Sequence, residues 1–439
     1  MAVKVSKFGG TSLADAQQIR KVQAIVQSDA ERRYVVPSAP GKRDRQDKKI
    51  TDLLYLRDAH AQQQVPFHDV FALITQRYEA IIADLGLRLD LTDAFAQAKQ
   101  GIVDNAGRPD FAASRGEALN GLIIAELLGY EYIDASEVIF FNASGRFDAE
   151  KTQQVLADRL RRAQRAVVPG FYGALPDGRV KTFSRGGSDV TGAIVARAAQ
   201  AAVYENWTDV SGLLMTDPNI VDAPRVIDTI TYRELRELAY MGASVLHDEA
   251  IFPVRLAGIP INIRNTNRPD DPGTRIVAEA EPIRHAGTIS GIAGRKDFTT
   301  IQVEKALMNA EVGFGRRLLG ALEVHGVSYE HTPSGIDTMS VVVADKQLEG
   351  KLDLVLDEIR KQCEPDALEV EPHMALIATV GRGMAHTPGI AAKLFKALAD
   401  ANVNIRMIDQ GSSELNIIVG VGADDFETAV RAIYHAFVE

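Results

Sequence analysis

The sequence predicts an α/β protein: a three-layer αβα sandwich around a mostly parallel sheet, followed by two tandem ferredoxin-like βαββαβ modules. Three observations carry this expectation. Through the first two-thirds, short β-branched runs alternate with amphipathic helical stretches. Glycine pairs stand at two of the strand-to-helix turns. Past residue 282, two segments of the chain are copies of each other.

The alternation is the first of these. Residues 3–6, 34–37, 132–134, 166–169, 205–208 and 260–263 read as strands, with helical patterns at 14–28, 111–129, 149–163 and 189–201 between them. Strands interleaved with helices imply βαβ units and a parallel sheet with both faces covered. Ligands of such sheets bind beyond the carboxyl ends of the strands. Residues 1–282 are therefore expected to form the catalytic part.

The repeat is the third. Residues 308–343 align with 384–419 at one constant offset, pairing Gly313 with Gly389, Arg317–Leu322 with 393–398, and Gly335 with Gly411. Each copy reads helix, strand, glycine-containing turn, strand, helix, with a β-run before it at 300–303 or 375–380. Modules of about 70 residues are small for independent stability and are expected to pack on each other. Their expected bounds are 298–372 and 373–439, the second completed by a strand from 289–297. Such paired modules suggest a homodimer or higher assembly.

Bulk properties narrow the function. The 439 residues carry a net charge of -10, which argues against a general nucleic-acid binder. Cys363 is the only cysteine, so neither an intrachain disulfide nor a cysteine metal site is expected. The nine histidines lack metal-ligand spacing, and no tightly bound, protein-liganded metal is expected. The start of the chain lacks the apolar run of a signal peptide. No stretch reaches the roughly 18 apolar residues of a spanning helix. A cytoplasmic location without membrane contact is the expectation.

Five motifs carry chemistry. In Lys7-Phe8-Gly9-Gly10-Thr11-Ser12, two glycines between a strand and a helix let backbone N–H groups approach a phosphate. Lys7 would add a point charge there. The lysine precedes the glycines, so this is not a Walker A loop, and a plain turn is the alternative. In Phe183-Ser184-Arg185-Gly186-Gly187-Ser188-Asp189, glycines again offer an anion cradle, while Arg185 can grip a carboxylate through its fork. Asp189 either caps the next helix or orients a lysine or a metal. Trp207-Thr208-Asp209 ends a strand near Thr216-Asp217-Pro218, with Trp207 expected in the core. Ser114-Arg115-Gly116-Glu117 opens a helix, where Glu117 could act as a cap. Pro37-Ser38-Ala39-Pro40-Gly41 is a loop after the second strand. Neither a nucleophile elbow nor a dinucleotide fingerprint is present, so hydrolase and dehydrogenase readings recede.

Together, residues 7–12, 185–189 and 207–217 resemble the aspartate kinase branch of the amino-acid kinase superfamily. The resemblance extends to Gly242-Ala243-Ser244-Val245-Leu246-His247, and the tandem modules look like that family's paired ACT domains. Asp248 stands where those members usually have proline, and Asn219 where a basic residue usually follows Asp-Pro. The resemblance implies the amino-acid kinase fold, with ATP and Mg²⁺ as cosubstrate and L-aspartate as acceptor. It implies that Lys7 stabilises the transferred γ-phosphoryl while Gly9 and Gly10 frame the phosphates, and that Asp189 organises the lysine. Gly186, Gly187 and Ser188 would cradle ATP, with Thr208, Asp209, Asp217 and Asn267 along the nucleotide. Arg185 would hold the substrate α-carboxylate and Glu117 its α-ammonium, with Ser38 and Thr51 orienting the amino acid. The product would be 4-phospho-L-aspartate, for lysine, threonine and methionine supply.

The chemistry agrees, because a side-chain carboxylate with a pKa of about 4 is ionised at pH 7 and needs no strong base. A relative acting on glutamate, acetylglutamate or a nucleoside monophosphate, and a non-catalytic amino-acid sensor, are the competing readings. The length leaves no room for an appended homoserine dehydrogenase, so a monofunctional enzyme is expected. Lysine is the expected effector, with threonine as the alternative. Its expected site comprises Met308, Gly313 and Phe314 at a helix entry, with Glu330 and Asp337 on the following hairpin.

Overall fold

The computed structural model describes residues 2–62, 68–184, 186–243, 248–278 and 288–438. Arg185 and residues 244–247 of the Gly242 motif lie outside the described residues. The chain divides into two compact units. One comprises Met1–Leu213, Val226–Tyr232 and Val245–Pro282; the other comprises Leu214–Arg225, Arg233–Ser244 and Ile283–Glu439.

The first unit contains strands β1 (Lys4–Phe8), β2 (Arg32–Pro37), β3 (Glu131–Tyr132), β4 (Ala166–Val167), β5 (Tyr172–Ala174), β6 (Val180–Thr182), β7 (Val203–Thr208), β8 (Thr229–Thr231), β9 (Ile261–Asn265) and β10 (Thr274–Val277). Eight of them form one sheet in the order β3-β4-β2-β1-β7-β9-β10-β8. Every pairing is parallel except β9 with β10, so the mostly parallel sheet holds. β5 and β6 make a separate antiparallel hairpin, which the sequence reading did not anticipate. β1 is central, with Val5 and Phe8 fully buried, as expected of a strand covered on both faces.

The flanking helices follow local rules. Asp15 caps Ala16–Gln27 by accepting the Gln18 N–H at 2.9 Å, and Ile19, Val22, Ile25 and Val26 repeat at helical spacing into the core. Asp148 caps Ala149–Ala163, and Arg161 and Arg162 sit in its last turn, where cations favour the helix dipole. Pro109–Leu128 is buried along most of its length, from Ala112 to Ala125. Helices Ile50–Gln62, His68–Leu85 and Thr92–Asp104, which the sequence reading passed over, pack with it around Leu54, Ile74, Tyr78 and Ile102.

The second unit is built on the repeat. Its strands are β11 (Gly291–Glu304), β12 (Thr338–Ala344), β13 (Ala367–Val380), β14 (Met407–Asp409) and β15 (Asn416–Gly422), in the order β12-β11-β13-β15-β14. Helices Phe314–Val324 and Ile390–Asp400 begin and end at the same offset that the sequence copies show. β11 and β13 are 14 residues each and pair antiparallel along their whole length. Residues 298–304 of β11 carry β12, and residues 374–380 of β13 carry β15. At the crossover Asp297 (φ 69°) and His373 (φ 60°) occupy equivalent left-handed positions. The two modules thus exchange strand halves around a local two-fold. The first has its own apolar core, including Ile301, Phe314, Leu318, Val341 and Ile359.

Candidate functional site

The site begins at the carboxyl end of β1. Lys7 pairs in register with Val36 of β2 and Asn206 of β7, so it looks out from the middle of the sheet. Its Nζ lies 2.6 Å from Asp189 Oδ1 and donates to Asn206 Oδ1 at 3.4 Å. Asn206 Nδ2 donates to the same Asp189 oxygen at 2.8 Å. The ammonium is thereby fixed by a carboxylate and an amide, with its side chain 9% exposed and that of Asp189 21%. Asp189 sits in the first turn of helix Gly187–Ala198, where the helix dipole favours a carboxylate. The Lys7 and Asp189 motifs, far apart in sequence, are one site.

The glycines have distinct reasons. The Gly9 N–H donates to the Trp207 carbonyl at 3.0 Å, and Gly41 N–H donates to the Gly10 carbonyl at 2.8 Å. A Cβ on Gly10 would lie 2.9 Å from the Ala39 oxygen, and one on Gly41 2.6 Å from the Gly10 carbonyl carbon. The loops after β1 and β2 therefore touch backbone to backbone, which only glycine permits. Gly186 enters its helix at φ 56°. A Cβ on Gly187 would meet the Phe171 ring at 2.1 Å, so packing also demands glycine there. Ser188 follows in the first turn of that helix, packed against Gly170.

On the other side of this contact stands the Ser38 loop. Ser38 N–H donates to the Phe8 carbonyl at 3.1 Å, and Asn120 Nδ2 donates to the Ser38 carbonyl at 2.7 Å. Thr51 is half-buried in the first turn of helix Ile50–Gln62. Glu117, 5% exposed, accepts the Ala39 backbone N–H, while its Oε2 has no partner. Burial pushes its carboxyl up to about 8, against the lowering effect of the Ala39 bond. A buried carboxylate oxygen left unpartnered is suited to receive a cation.

Two polar residues here were not singled out from the sequence: Asn206 and Asn120. A signal for the first exists. β7 reads VYENWT, and two adjacent polar residues within a buried strand require partners on both faces of the sheet. Asn206 serves the Lys7 face. Glu205 serves the other, taking bonds from Arg32 Nε (2.8 Å) and Nη2 (3.1 Å), Ser6 Oγ (2.8 Å) and Trp207 Nε1 (3.0 Å). Burial would raise the Glu205 carboxyl, but these donors outweigh it and hold it below its ordinary value. Trp207 is buried as expected, stacked on Phe8, with the Arg32 and Arg264 guanidinium groups 5.3 and 4.6 Å from its ring centre.

Thr208 closes β7, with its Oγ1 bonded to exposed Asp209 at 3.2 Å. Asn267 follows β9 and accepts from Lys21 Nζ at 2.7 Å. The hydroxyls of Ser12 and Thr266 meet at 2.8 Å, joining the Gly9–Gly10 loop to the Asn267 loop. Asp217 belongs to the second unit, where its Oδ1 accepts both the N–H and the Nδ2 of Asn219 at 2.8 Å.

The expected effector residues also lie in the second unit. Gly313 (φ 83°) opens helix Phe314–Val324, and the Met308 and Phe314 side chains are buried in the module core. The N–H groups of Met308 and Phe314 donate to the Lys305 and Glu311 carbonyls, so neither is free for a ligand. Glu330 is hydrogen-bonded to Tyr240 Oη and lies 3.6 Å from Arg295. Asp337 Oδ1 accepts the Leu307 N–H at 2.9 Å.

An ammonium held by a carboxylate beside backbone glycines suits a phosphoryl group, and a buried carboxyl with one unpartnered oxygen suits an amine. Residues 2–265 match the model of the amino acid kinase family, and residues 377–437 match an ACT domain model. The chain is 40% identical to aspartokinase 3 of Bacillus subtilis, over 99% of this chain and 98% of that one. The crystal structure of Clostridium acetobutylicum aspartate kinase is 57% identical, with a TM-score of 0.94 and coverage of 99% of this chain and 100% of that one. Aspartokinase III of E. coli in complex with aspartate and ADP is 27% identical, with a TM-score of 0.75 and full coverage of both chains. The same E. coli enzyme is also known in complex with lysine and aspartate, at 27% identity, a TM-score of 0.73 and full coverage of both. The chain belongs to the amino acid kinase family and, within it, to the aspartokinases.

Proposed function

We propose that this aspartokinase runs its reaction at the Lys7–Asp189–Asn206 centre. An oxygen of the aspartate side-chain carboxylate attacks the γ-phosphorus of ATP, the bond from that phosphorus to the ADP oxygen breaks, and 4-phospho-L-aspartate and ADP result. The acceptor is already ionised, so the protein's task is alignment and charge neutralisation. Lys7 holds the γ-phosphoryl oxygens as charge develops on them, and Asp189 and Asn206 keep its ammonium in place. The backbone at Gly9, Gly10, Gly186, Gly187 and Ser188 lies along the phosphates, with Thr208, Asp209 and Asn267 along the rest of the nucleotide. Glu117 takes the substrate α-ammonium and Arg185 its α-carboxylate, while Ser38 and Thr51 orient the side chain. The 2.6 Å contact between Lys7 and Asp189 carries this reading.

Among the described residues, no three carboxylate, histidine or cysteine groups converge into a metal site. Mg²⁺ is proposed as the companion of the ATP phosphates, where it would neutralise their charge. Lysine is the proposed effector of the ACT modules, supported by the lysine complex of the E. coli relative. A homodimer or higher homo-oligomer through the ACT modules is proposed from exposed apolar residues of the first module: Leu307, Val312 and Ile336 are 74%, 95% and 70% exposed. Catalytic residues 1–282 and modules 298–372 and 373–439 remain the proposed domains. A cytoplasmic location is proposed from the single cysteine.

Coupled ADP release over aspartate, glutamate and acetylglutamate tests the acceptor, and Lys7→Ala tests the centre. Turnover with aspartate should fall by about two to four orders of magnitude in Lys7→Ala, with aspartate affinity nearly intact. Equal turnover would remove Lys7 from the mechanism.

A further inference from the structure

We propose that Arg77 is a positioning residue for the acceptor, a buried clamp that holds the Ser38–Thr51 segment against the phosphate loop. Arg77 lies on helix His68–Leu85 and is 7% exposed. Its Nη2 donates to two carbonyls, Ala14 and Gly41, each at 2.9 Å, and its Nη1 donates to Asp47 Oδ2 at 2.7 Å. Ala14 follows the Gly9–Gly10 turn, and Gly41 ends the Ser38 loop, so one guanidinium joins the two loops whose backbones meet at Gly10 and Gly41. Asp47 extends the clamp by accepting the Arg43 N–H and Nε, each at 3.0 Å. The turn from 41 to 47 is thus tied down just before Thr51. The next residue on the same helix, Tyr78, donates its hydroxyl to the Gly116 carbonyl at 2.8 Å, beside Glu117.

None of the Arg77 bonds reaches a group assigned to touch substrate, so its effect must pass through the loops. Arginine is required by geometry: a planar fork spans two carbonyls and a carboxylate, whereas a lysine ammonium on a single stem does not match all three. A cavity of about 270 Å³ borders Arg77 and is lined also by Arg43, Gln46, Asp47, Ile50, Leu53 and Gln76. Misplacing a substrate-holding loop by a fraction of an ångström weakens acceptor binding and alignment more than nucleotide binding.

This inference rests on the assignment of Ser38 and Thr51 to the acceptor, and the test separates the two. Steady-state kinetics of the full chain are measured with aspartate and ATP varied independently, for wild type, Arg77→Ala, Arg77→Lys and Asp47→Asn. Arg77→Ala should raise the KM for aspartate by about tenfold or more, the scale of a misplaced acceptor-holding loop. The KM for ATP should stay within about twofold, and kcat should fall less than the aspartate KM rises. Guanidinium at non-denaturing millimolar concentration should restore the aspartate KM of Arg77→Ala and leave wild type unchanged. Arg77→Lys and Asp47→Asn should lie between the two, and they carry the test if the alanine variant does not fold. A lowered kcat or melting temperature with an unchanged aspartate KM, or equal shifts in both KM values, overturns the proposal. Ser38→Ala and Thr51→Ala measured alongside should raise the aspartate KM, and an unchanged aspartate KM in both would instead overturn the assignment on which it stands.

Discussion

Replacing Glu117 with glutamine tests the site through its protonation. Glu117 is 5% exposed, and burial moves its carboxyl from 4.5 to about 8. Ionising it in the folded protein is therefore disfavoured by about 5 kcal/mol relative to the unfolded chain. The sign follows from proton counting. Between pH 4.5 and about 8 the folded state keeps a proton that the unfolded state has lost, so stability falls as pH rises through that window and levels off above it. Glutamine has no such proton. The unfolding free energy of wild type minus that of Glu117→Gln should become less favourable by about 1.4 kcal/mol per pH unit, or about 4 kcal/mol between pH 5 and pH 8. Urea titrations of both proteins at the two pH values measure it, and groups common to both cancel in the difference. The functional counterpart has the same midpoint. The carboxylate form binds an α-ammonium, so the kcat/KM of wild type for aspartate should rise with pH up to about 8 and then level off. Glu117→Gln should be low throughout and lack that step. A stability difference independent of pH, together with an unshifted rate profile, would refute both the buried carboxyl and its role.

Other expectations follow from the same contacts. Arg32→Met should cost about 3–5 kcal/mol of stability, because it strands the Glu205 charge beneath the sheet; an unchanged urea midpoint would show that Arg264, 3.9 Å away, suffices as partner. Glu330→Ala and Asp337→Ala should each weaken lysine inhibition by about tenfold while leaving uninhibited turnover almost unchanged, since each removes a contact to one proposed effector end. A lysine inhibition curve that stays in place in both variants removes these two acids from the effector site and leaves the kinase centre intact.

Much of the fold was legible because it is written in local patterns. A capping aspartate followed by apolar residues at helical spacing places Ala16–Gln27, and a glycine pair after a β-run marks the turn at Lys7. The repeat offset fixed helix Ile390–Asp400 from helix Phe314–Val324 to the residue. What escaped was either inverted in pattern or short. Helix Ile50–Gln62 lacks a clean apolar stripe in sequence because Arg57 and Asp58 are buried while Tyr55 and Leu56 are exposed, and the β5–β6 hairpin contributes only three residues per strand.

The sequence by itself determined which residue types stand at strand ends and in the helices beside them, and hence Lys7, Asp189 and Glu117 as candidates. It also determined that two equivalent modules follow the catalytic part. Only the tertiary structure decided how those candidates meet. Lys7 touches Asp189 and Asn206 because β7 pairs directly with β1, a strand order that no local period encodes. Whether Asp189 acts as a simple cap or as the partner of Lys7, and whether Glu117 is ionised, depend on what packs around them. An arginine such as Arg77 reads as a solvated helix charge in sequence. It becomes a clamp only when two loops and a carboxylate converge on it, since burial and hydrogen-bond satisfaction are properties of the assembled core.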